Sequence, residues 1–487
     1  MIRAAIVLLL SLSFCLSGQA AEVPAPEPFG TIPSEAHLVW HDLEYYGFIH
    51  FTINTFTDLE WGGGGESPEL FNPSQCDPDQ WARVAAESGM KGLILTAKHH
   101  DGFCLWPSKY TEHSVKASPW KDGKGNLVKE LSDACKKHGL LFGLYLSPWD
   151  RNHADYGRPA YIEYYRNQWR ELLGGDYGPV FETWYDGANG GSGYYGGANE
   201  TRRIDNKTYY DWVPTWKLVR DLQPGNIRFS DGGPDIRWVG NEKGLGYDPN
   251  WATFNRDGRW PGVSERESLW YGDKGGTHWV PAEVDVSIRP GWFWHESQND
   301  NVKTLDQLLE IYYASVGRGC NLLLNVPPDR RGLFHEIDVE RLGQLGDYIK
   351  KTFATDLAKG KSAKADNTRG DSADFAAARL IDGDRKTYWA ADDGVLQASL
   401  EIGLGGPTKF DNIRIQEYIP LGQRVEAFEI EARVSGEWKK IADGETIGPR
   451  RIMRTERVTA DAVRVKLTKC LACPVISTVE VYCSPQG

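Results

Sequence analysis

The sequence predicts an α/β fold in its first two thirds, a (β/α)8-like barrel, followed by an all-β sandwich. Three observations predict this arrangement. Short apolar runs alternate with amphipathic helical stretches from about residue 46 to residue 352, a polar stretch follows, and the remainder alternates apolar and polar residues without a helical period. The predicted boundaries are a barrel domain over 21–352, a linker over 353–365 and a sandwich domain over 366–487.

Seven apolar runs predict the strands of the barrel. They are YGFIHF, KGLILTA, LLFGLYLS, FETWYD, NIRFS, EVDVSI and CNLLLNV. Segments such as DPDQWARVAAESG, LVKELSDACKKHG and TLDQLLEIYYASVGRG carry helical periodicity between them. Strands that alternate with helices indicate a parallel sheet, and seven of them favour a closed barrel, with an eighth strand expected near SLWYG at 268–272.

The last 120 or so residues have a different pattern. LQASLEIGL, KFDNIRIQEYI, VEAFEIEARVSGEWKKIA, AVRVKLTK and ISTVEVYC alternate apolar and polar residues. This alternation is typical of antiparallel sheets with one solvated face, so that a sandwich is expected.

The first 20 residues have the order of a secretory signal. A basic start precedes an apolar run and a small-residue end, with cleavage expected near Ala20. No later stretch of the sequence is apolar enough to predict a membrane span. We therefore expect a secreted or periplasmic protein.

Composition limits the class of partner. Lys and Arg number 55 against 67 Asp and Glu, a formal net charge of -12, which argues against nucleic acid and anionic lipid. The 19 Trp and 22 Tyr suit the C–H faces and hydroxyl rims of sugars, although rings of this kind also build ordinary cores.

The cysteines indicate no metal site. Cys15 belongs to the predicted signal, which leaves an odd number in the mature chain. CLAC at 470–473 has half the spacing of a zinc site, but no second Cys or His pair follows it. A local disulfide or free thiols are the expected state.

Functional groups of a barrel collect at the carboxyl ends of its strands. Polar and aromatic residues close the predicted runs here, and their convergence on one rim predicts a ligand site. They are His50, His99, His100, Trp149, Asp150, Asp186 and Arg289.

The stretch KHHDGF allows three interpretations. Metal binding is disfavoured because adjacent residues of a strand point to opposite faces. The two histidines could be a structural pair bonded to backbone carbonyls. Neutral imidazoles could also exchange hydrogen bonds with ligand hydroxyls.

The run ETWYDGANG predicts a carboxylate in the barrel mouth. Alternation puts Glu182, Trp184 and Asp186 on one face, and a glycine, not a helix, follows the aspartate. Glycoside hydrolysis needs a second carboxyl group to protonate the leaving oxygen. Among Glu242, Glu265, Glu267, Glu283 and Glu296 we favour Glu242, in RWVGNEKG, because burial near Trp238 would raise its pKa.

These motifs carry a family resemblance over roughly residues 34–350. YGFIHFTINTFTDLEWG, KHHDGFCLWPSKYTEHSVKASPWKDGKG, YLSPWDRNH, TWYDGANGG and RWVGNEKG resemble glycoside hydrolase family 29, the α-L-fucosidases, and more closely the branch that acts on α-1,3- and α-1,4-linked fucose. The resemblance implies a retaining mechanism with Asp186 as nucleophile and Glu242 as general acid/base. It also implies sugar-binding positions at His50, Glu60, His99 and His100.

A 6-deoxy sugar needs both an apolar wall and hydrogen-bonding groups. Trp149, Trp184 and Trp292 are expected to supply the wall, and Trp61 and Arg289 further donors. Arg289 could instead orient a carboxylate of the site.

The C-terminal runs RLIDGDRKTYWAADDG and ISTVEVY resemble a discoidin-type, galactose-binding-like sandwich. The resemblance implies a structural calcium loop at Asp382, Gly383 and Asp384, with Trp389 as a core residue. Glycan binding by this domain stays open.

The resulting hypothesis is an exo-α-L-fucosidase that releases terminal fucose from Lewis-type or mucin-type glycans and requires no cofactor. Its partners would be fucosylated oligosaccharides or glycoproteins. A retaining hydrolase of another terminal sugar, such as α-galactose, and a non-catalytic glycan-binding protein are the alternatives.

Overall fold

A computed structural model describes residues 23–485, so that the predicted signal peptide lies outside the described residues. Eight parallel strands close into a barrel in chain order, which confirms the predicted fold class. The strands are β1 Tyr45–Ile49, β2 Gly92–Lys98, β3 Leu141–Leu146, β4 Glu182–Trp184, β5 Ile227–Ser230, β6 Ile236–Trp238, β7 Ala282–Ser287 and β8 Asn321–Asn325.

The eighth strand is not where the sequence predicted it. SLWYG lies in a helix, Arg266–Tyr271, and the missing strand is β6. Residues 231–235 alone join β5 to β6, without a crossover helix, although the two strands pair in parallel. The strand was missed because three residues carry little alternation and no helical period separates them from β5.

Helices surround the barrel. They are α1 Glu35–His41, α2 Asn54–Thr57, α3 Pro78–Glu87, α4 Leu127–Lys137, α5 Ala160–Leu173, α6 Trp212–Leu222, α7 Arg266–Tyr271, α8 Leu305–Ser315 and α9 Glu336–Thr352. The local sequence sets the first residue of several of these helices. The Asp77 side chain accepts from the first backbone N–H groups of α3, and Thr304 forms a capping box with Gln307 at α8.

Two apolar clusters hold the barrel together. One lies between the strands and the outer helices, where α3, α4 and α5 bury their apolar faces. The other fills the barrel interior and includes Tyr46, Phe48, Trp184 and Phe229. Strands β1 and β2 are buried along their whole length, as expected for a parallel sheet covered on both faces.

The C-terminal domain is an antiparallel sandwich, as predicted. Its strands are β9 Ser362–Ala365, β10 Trp389–Ala390, β11 Ala398–Glu417, β12 Val425–Val434, β13 Glu437–Gly444, β14 Arg451–Cys470 and β15 Val475–Tyr482. Register shifts between Gly403 and Thr408 and between Phe410 and Asn412 interrupt the pairing of the two long strands β11 and β14. Trp389 is fully buried in the core of this domain.

The sandwich packs against the amino ends of the barrel strands. Glu44, directly before β1, forms ion pairs with Arg414 and Arg450 of the sandwich. The Arg450 guanidinium also donates to the carbonyls of His41, Val316 and Cys320. These contacts lie at the end of the barrel opposite to the carboxyl ends of its strands.

The described N-terminal segment follows the sandwich before it enters the barrel. The carbonyls of Pro24 and Glu27 accept from Arg369 and Arg424, and the Phe29 N–H donates to the Leu421 carbonyl. Between residues 23 and 485, none of the helices is both long and apolar enough to cross a membrane.

Candidate active site

A cavity of about 630 Å³ opens at the carboxyl ends of the barrel strands. Residues that follow several different strands line it together, as expected for a barrel. Of the predicted site residues it contains His50, Glu60, Trp61, His99, His100, Trp149, Trp184, Asp186, Glu242 and Trp292. Most residues that the sequence brought into one hypothesis therefore share one cavity, with Arg289 and Asp150 as exceptions. Asp150 was expected at the rim, but it is buried outside the cavity lining, where it pairs with Lys98 at 2.9 Å.

Asp186 lies in the cavity two residues after the end of β4. Its carboxylate accepts from the Tyr145 hydroxyl at 3.1 Å, and 48% of its side chain is exposed to the cavity. The surrounding protein removes bulk water and raises the pKa of Asp186, while Tyr145 and the Gly187 N–H oppose that rise. The carboxylate is thus held in place by a donor and still open to a ligand.

Gly187 is required next to this carboxylate. Its φ of +74° lies in the left-handed region, and a Cβ there would meet the His100 ring at 2.2 Å. The glycine after Asp186 therefore lets the chain turn tightly beneath His100.

Glu242 lies at the exposed edge of the same cavity, in the loop after β6. Its carboxylate accepts from Trp292 Nε1 at 3.3 Å. Partial burial, and then the charges of Asp186 and Glu60, raise the pKa of Glu242. A carboxyl group that keeps its proton is the kind of group that can act as an acid.

His99 and His100 both face the cavity, with ring centroids 4.1 Å apart. The argument that adjacent histidines must point to opposite faces was wrong here, because β2 ends at Lys98 and both residues lie in the following turn. Burial lowers the pKa of His100 to about 3 and the pKa of His99 well below its usual range. The pair is therefore neutral at physiological pH.

Hydrogen bonds select the tautomer of His100. The Ser147 hydroxyl lies 2.7 Å from His100 Nδ1 and donates its own proton to the Trp149 carbonyl at 2.7 Å. Nδ1 must therefore carry the proton, since Ser147 has none left to donate. The His100 Nε2 atom is left as an acceptor, 3.9 Å from Asp186 Oδ2.

The same argument applies to His50. Asn325 Nδ2 donates to Ser287 Oγ and to the Trp292 carbonyl, so that Asn325 Oδ1, at 2.9 Å from His50 Nδ1, must accept. His50 Nδ1 carries the proton and Nε2 is an acceptor. Burial lowers the pKa of His50 to about 3.

Aromatic rings form the floor and one side of the cavity. The Trp184 ring stacks on Phe229 with centroids 3.6 Å apart, and the Trp292 ring lies 5.1 Å from His50. Trp61 packs edge-on against Trp149 at 6.1 Å, with 58% of the residue exposed at the rim. These surfaces can cover the apolar side of a sugar ring.

Glu60 is held by a residue that sequence reasoning missed. His295 Nε2 lies 2.6 Å from Glu60 Oε1, and its other ring nitrogen lies 2.9 Å from Asp58. The Trp292 backbone N–H donates to Glu60 Oε2 at 2.8 Å. His295 connects loops that are distant in the chain, and no local pattern predicts that contact.

Arg289 is not part of the cavity, which corrects the expectation that it donates to the ligand. It is buried outside the cavity lining, where its Nε pairs with Asp338 of α9 at 2.8 Å. Strand β7 ends at Ser287, and the Arg289 side chain two residues later is held by Asp338 and by Asn299, whose Oδ1 accepts from its Nη1 at 2.9 Å.

Two further carboxyl groups line the cavity and were not predicted. Asp285 on β7 accepts from Trp238 Nε1 at 2.7 Å, and burial raises its pKa well above the usual range. Asp231 follows β5 directly and accepts from the Gly262 N–H; burial raises its pKa to about 7. Alternation in EVDVS and the position after NIRFS could have identified both.

The described residues bear on two further expectations. Within 23–485 no group of three or more His, Cys, Asp or Glu side chains could hold a metal ion, and Cys470 and Cys473 are free thiols.

In the Asp-Gly-Asp loop, the Asp382 carboxylate accepts from the Asp384 N–H and the Thr387 hydroxyl. Its oxygens thus already have protein partners, and a calcium ion there stays a prediction.

The chain is similar to known α-L-fucosidases along nearly all of its length. The family model described as Alpha-L-fucosidase matches residues 34–353, and that of the F5/8 type C domain matches residues 362–478. Alpha-L-fucosidase 1 of Arabidopsis thaliana is 40% identical over 480 residues, which cover 97% of this chain and 92% of the relative.

Two solved structures are also similar to this chain along nearly all of its length. A glycoside hydrolase 29 family member from an unknown rumen bacterium is 45% identical with a TM-score of 0.85, over 95% of this chain and 79% of that one. A family 29 fucosidase of Ruminococcus gnavus, solved in complex with fucose, is 32% identical with a TM-score of 0.85, over 96% and 98% of the two chains. These similarities favour fucose over α-galactose and a hydrolase over a non-catalytic glycan-binding protein. The chain belongs to the α-L-fucosidases of glycoside hydrolase family 29 and carries a C-terminal F5/8 type C domain.

Proposed function

We propose that this α-L-fucosidase releases terminal α-1,3- or α-1,4-linked L-fucose from Lewis-type or mucin-type glycans, with retention of anomeric configuration. The observation that carries the mechanism is the pair of carboxyl groups in one cavity, Asp186 held by Tyr145 and Glu242 at the exposed edge. The branch assignment is supported by the motifs KHHDGFCLWPSKYTEHSVKASPWKDGKG and RWVGNEKG.

In the first step the Asp186 carboxylate attacks C1 of fucose as the glycosidic C1–O bond breaks. Glu242 gives its proton to the departing oxygen, and a fucosyl ester on Asp186 forms. In the second step a water oxygen attacks C1, its proton passes to Glu242, and the bond to Asp186 breaks. Two inversions at C1 give net retention.

The neutral imidazoles suit the sugar hydroxyls. His50 Nε2 and His100 Nε2 are acceptors, so that each can take a hydrogen bond from a ring hydroxyl without a charge in the site. The Trp184 and Trp292 rings offer apolar surface for the C6 methyl group. A 6-hydroxyl in that position would lose its hydrogen bonds to water, which favours the deoxy sugar.

We expect a Lewis-type trisaccharide to release fucose and an α-1,2-fucosylated lactose to remain intact. The test is chromatography of free monosaccharide after incubation with each substrate and with an aryl α-L-fucoside as a positive control. Fucose from the α-1,2-linked substrate at an equal rate would contradict the linkage assignment. It would leave the hydrolysis of the aryl fucoside, and therefore the family activity, untouched.

We expect Glu242→Gln to lose the alkaline limb of the pH profile of kcat/KM. Because its pKa is raised, Glu242 holds its proton to a higher pH than an ordinary glutamate does, and wild-type activity falls as pH rises through that pKa. A glutamine has no proton to lose there. Activity should fall least on aryl fucosides with good leaving groups, which need little protonation.

Equal loss on activated and natural substrates would point to another acid. Asp285→Asn is the matched control, because Asp285 also lines the cavity and burial raises its pKa well above the usual range. An alkaline limb that disappears in Asp285→Asn and persists in Glu242→Gln would transfer the acid role to Asp285.

A further inference from the structure

Two glutamates that the mechanism does not use face each other inside the barrel. Glu182 begins β4 and Glu283 lies in β7, and neither side chain is exposed. The Trp184 indole N–H donates to Glu182 Oε1 and to Glu283 Oε1, at 2.9 Å in both cases. One N–H therefore lies between oxygens of two different carboxyl groups.

The other donors around the pair are few. Trp40 Nε1 donates to Glu182 at 3.0 Å, and the Tyr46 hydroxyl contacts Glu182 at 3.2 Å and also contacts Glu283. Within the 23–485 range, no lysine, arginine or histidine forms an ion pair with either glutamate. Two buried like charges on one N–H, without a cation, would be very costly.

We propose that Glu182 and Glu283 share a single proton and act as a positioning pair, which holds the Trp184 indole as the floor of the fucose site. The titration behaviour agrees with this geometry. Burial raises the pKa of both carboxyl groups, and the charge of Glu182 raises that of Glu283 further. One carboxylate and one carboxylic acid can then accept hydrogen bonds from Trp40, Tyr46 and Trp184, while the acid donates its proton to the carboxylate.

The pair acts on the site through Trp184. Trp184 lines the cavity while its N–H bonds the pair, and its ring is stacked on Phe229 and lies 4.8 Å from Phe48. Asp186 follows on the same strand end, so that a tilt of the indole would displace both the floor and the nucleophile. Misplacement by about 1 Å can cost roughly a hundredfold in rate.

Two substitutions separate reach from charge. Glu283→Gln removes the charge but keeps the length, and its amide can donate to Glu182 as a protonated acid does. Glu283→Asp keeps the carboxyl group but is one methylene too short to reach Trp184. We expect Glu283→Gln to stay close to wild type in kcat/KM on an aryl α-L-fucoside. Glu283→Asp should fall by about tenfold to a hundredfold, mainly in kcat.

The opposite order, or equal rates for the two variants, would overturn the positioning role. The shared proton has its own readout. An infrared difference spectrum between wild type and Glu283→Gln should show the loss of one protonated-carboxyl band, and an unchanged band would overturn the sharing. The kinetic arm rests on the proposed role of this cavity, whereas the infrared arm does not, so that their failures can be told apart.

Discussion

Asp186→Ala should abolish the hydrolysis of aryl α-L-fucosides, with a loss of about 10⁴-fold or more in kcat, because the fucosyl ester cannot form without this carboxylate. The variant should fold normally, since 48% of the Asp186 side chain is already open to the cavity and, among the side chains of residues 23–485, only Tyr145 donates to it. The measurement is steady-state kinetics together with circular dichroism.

Adding azide distinguishes the nucleophile from the general acid/base, which a loss of rate alone does not do. In Asp186→Ala, azide can occupy the space of the carboxylate and attack C1 from that face, giving the β-fucosyl azide. In Glu242→Ala, the ester on Asp186 still forms and azide attacks it from the other face, giving the α-fucosyl azide. The two products differ in configuration at C1 and are distinguished by nuclear magnetic resonance.

Asp231→Asn is the matched control for Asp186→Ala. It also removes a carboxylate that follows a barrel strand and lines the cavity, but its oxygens accept from the Gly262 N–H. We expect it to retain hydrolysis and to form no fucosyl azide. A fucosyl azide from Asp231→Asn, or wild-type rates in Asp186→Ala, would show that the nucleophile has been misassigned.

Strand periodicity predicted most of the barrel because buried parallel strands are continuous apolar runs. It failed at β6, which has three residues and follows β5 without a helix. The shortness of the element also explains the error at SLWYG, where the apolar residues of a short helix give the same local pattern as a strand. Short elements take their conformation from tertiary contacts that a local pattern does not contain.

The site was predictable where a residue lies one or two positions beyond the end of a strand. His50, Asp186 and the His99–His100 pair were found in this way, since carboxyl ends of barrel strands converge. Arg289 shows the limit of the rule, because it lies as far beyond its strand as Asp186 does and yet pairs with Asp338 of α9, a contact with a distant segment that spacing does not reveal. Tyr145 and His295 touch the site through contacts between distant segments, and neither is marked by its neighbours in sequence.

The contact between the two domains predicts the largest effect on stability. Glu44 lies between Arg414, Arg450 at 3.4 Å and Arg385 at 4.0 Å, where it is 20% exposed. Burial alone would raise the pKa of Glu44, but the three guanidinium groups outweigh it and lower the pKa to about 2. Glu44→Gln should cost about 3–5 kcal/mol of unfolding free energy, because it leaves buried Arg450 without a counter-ion and buried Arg414 with Glu480 alone.

The pH dependence of this loss has a defined sign. A carboxyl group with a lowered pKa in the folded state contributes its full stability above the ordinary pKa of glutamate and loses it as pH falls through the folded value of about 2. The difference between wild type and Glu44→Gln in urea unfolding should therefore be constant at neutral pH and should shrink as pH falls below the ordinary value. A difference that grows on acidification would contradict the ion-pair explanation.

The position of Glu44 also separates stability from catalysis. It precedes β1, at the amino end of the barrel, whereas the cavity is built entirely at the carboxyl ends. Folded Glu44→Gln should accordingly keep kcat/KM at neutral pH. Glu429→Gln, which removes an exposed ion pair with Lys440 within the sandwich, is the control and should unfold like wild type. If Glu44→Gln unfolds at the same urea concentration as Glu429→Gln, the buried cluster does not hold the domains together, and the other contacts between them, such as the Arg451–Asp248 ion pair, must do so instead.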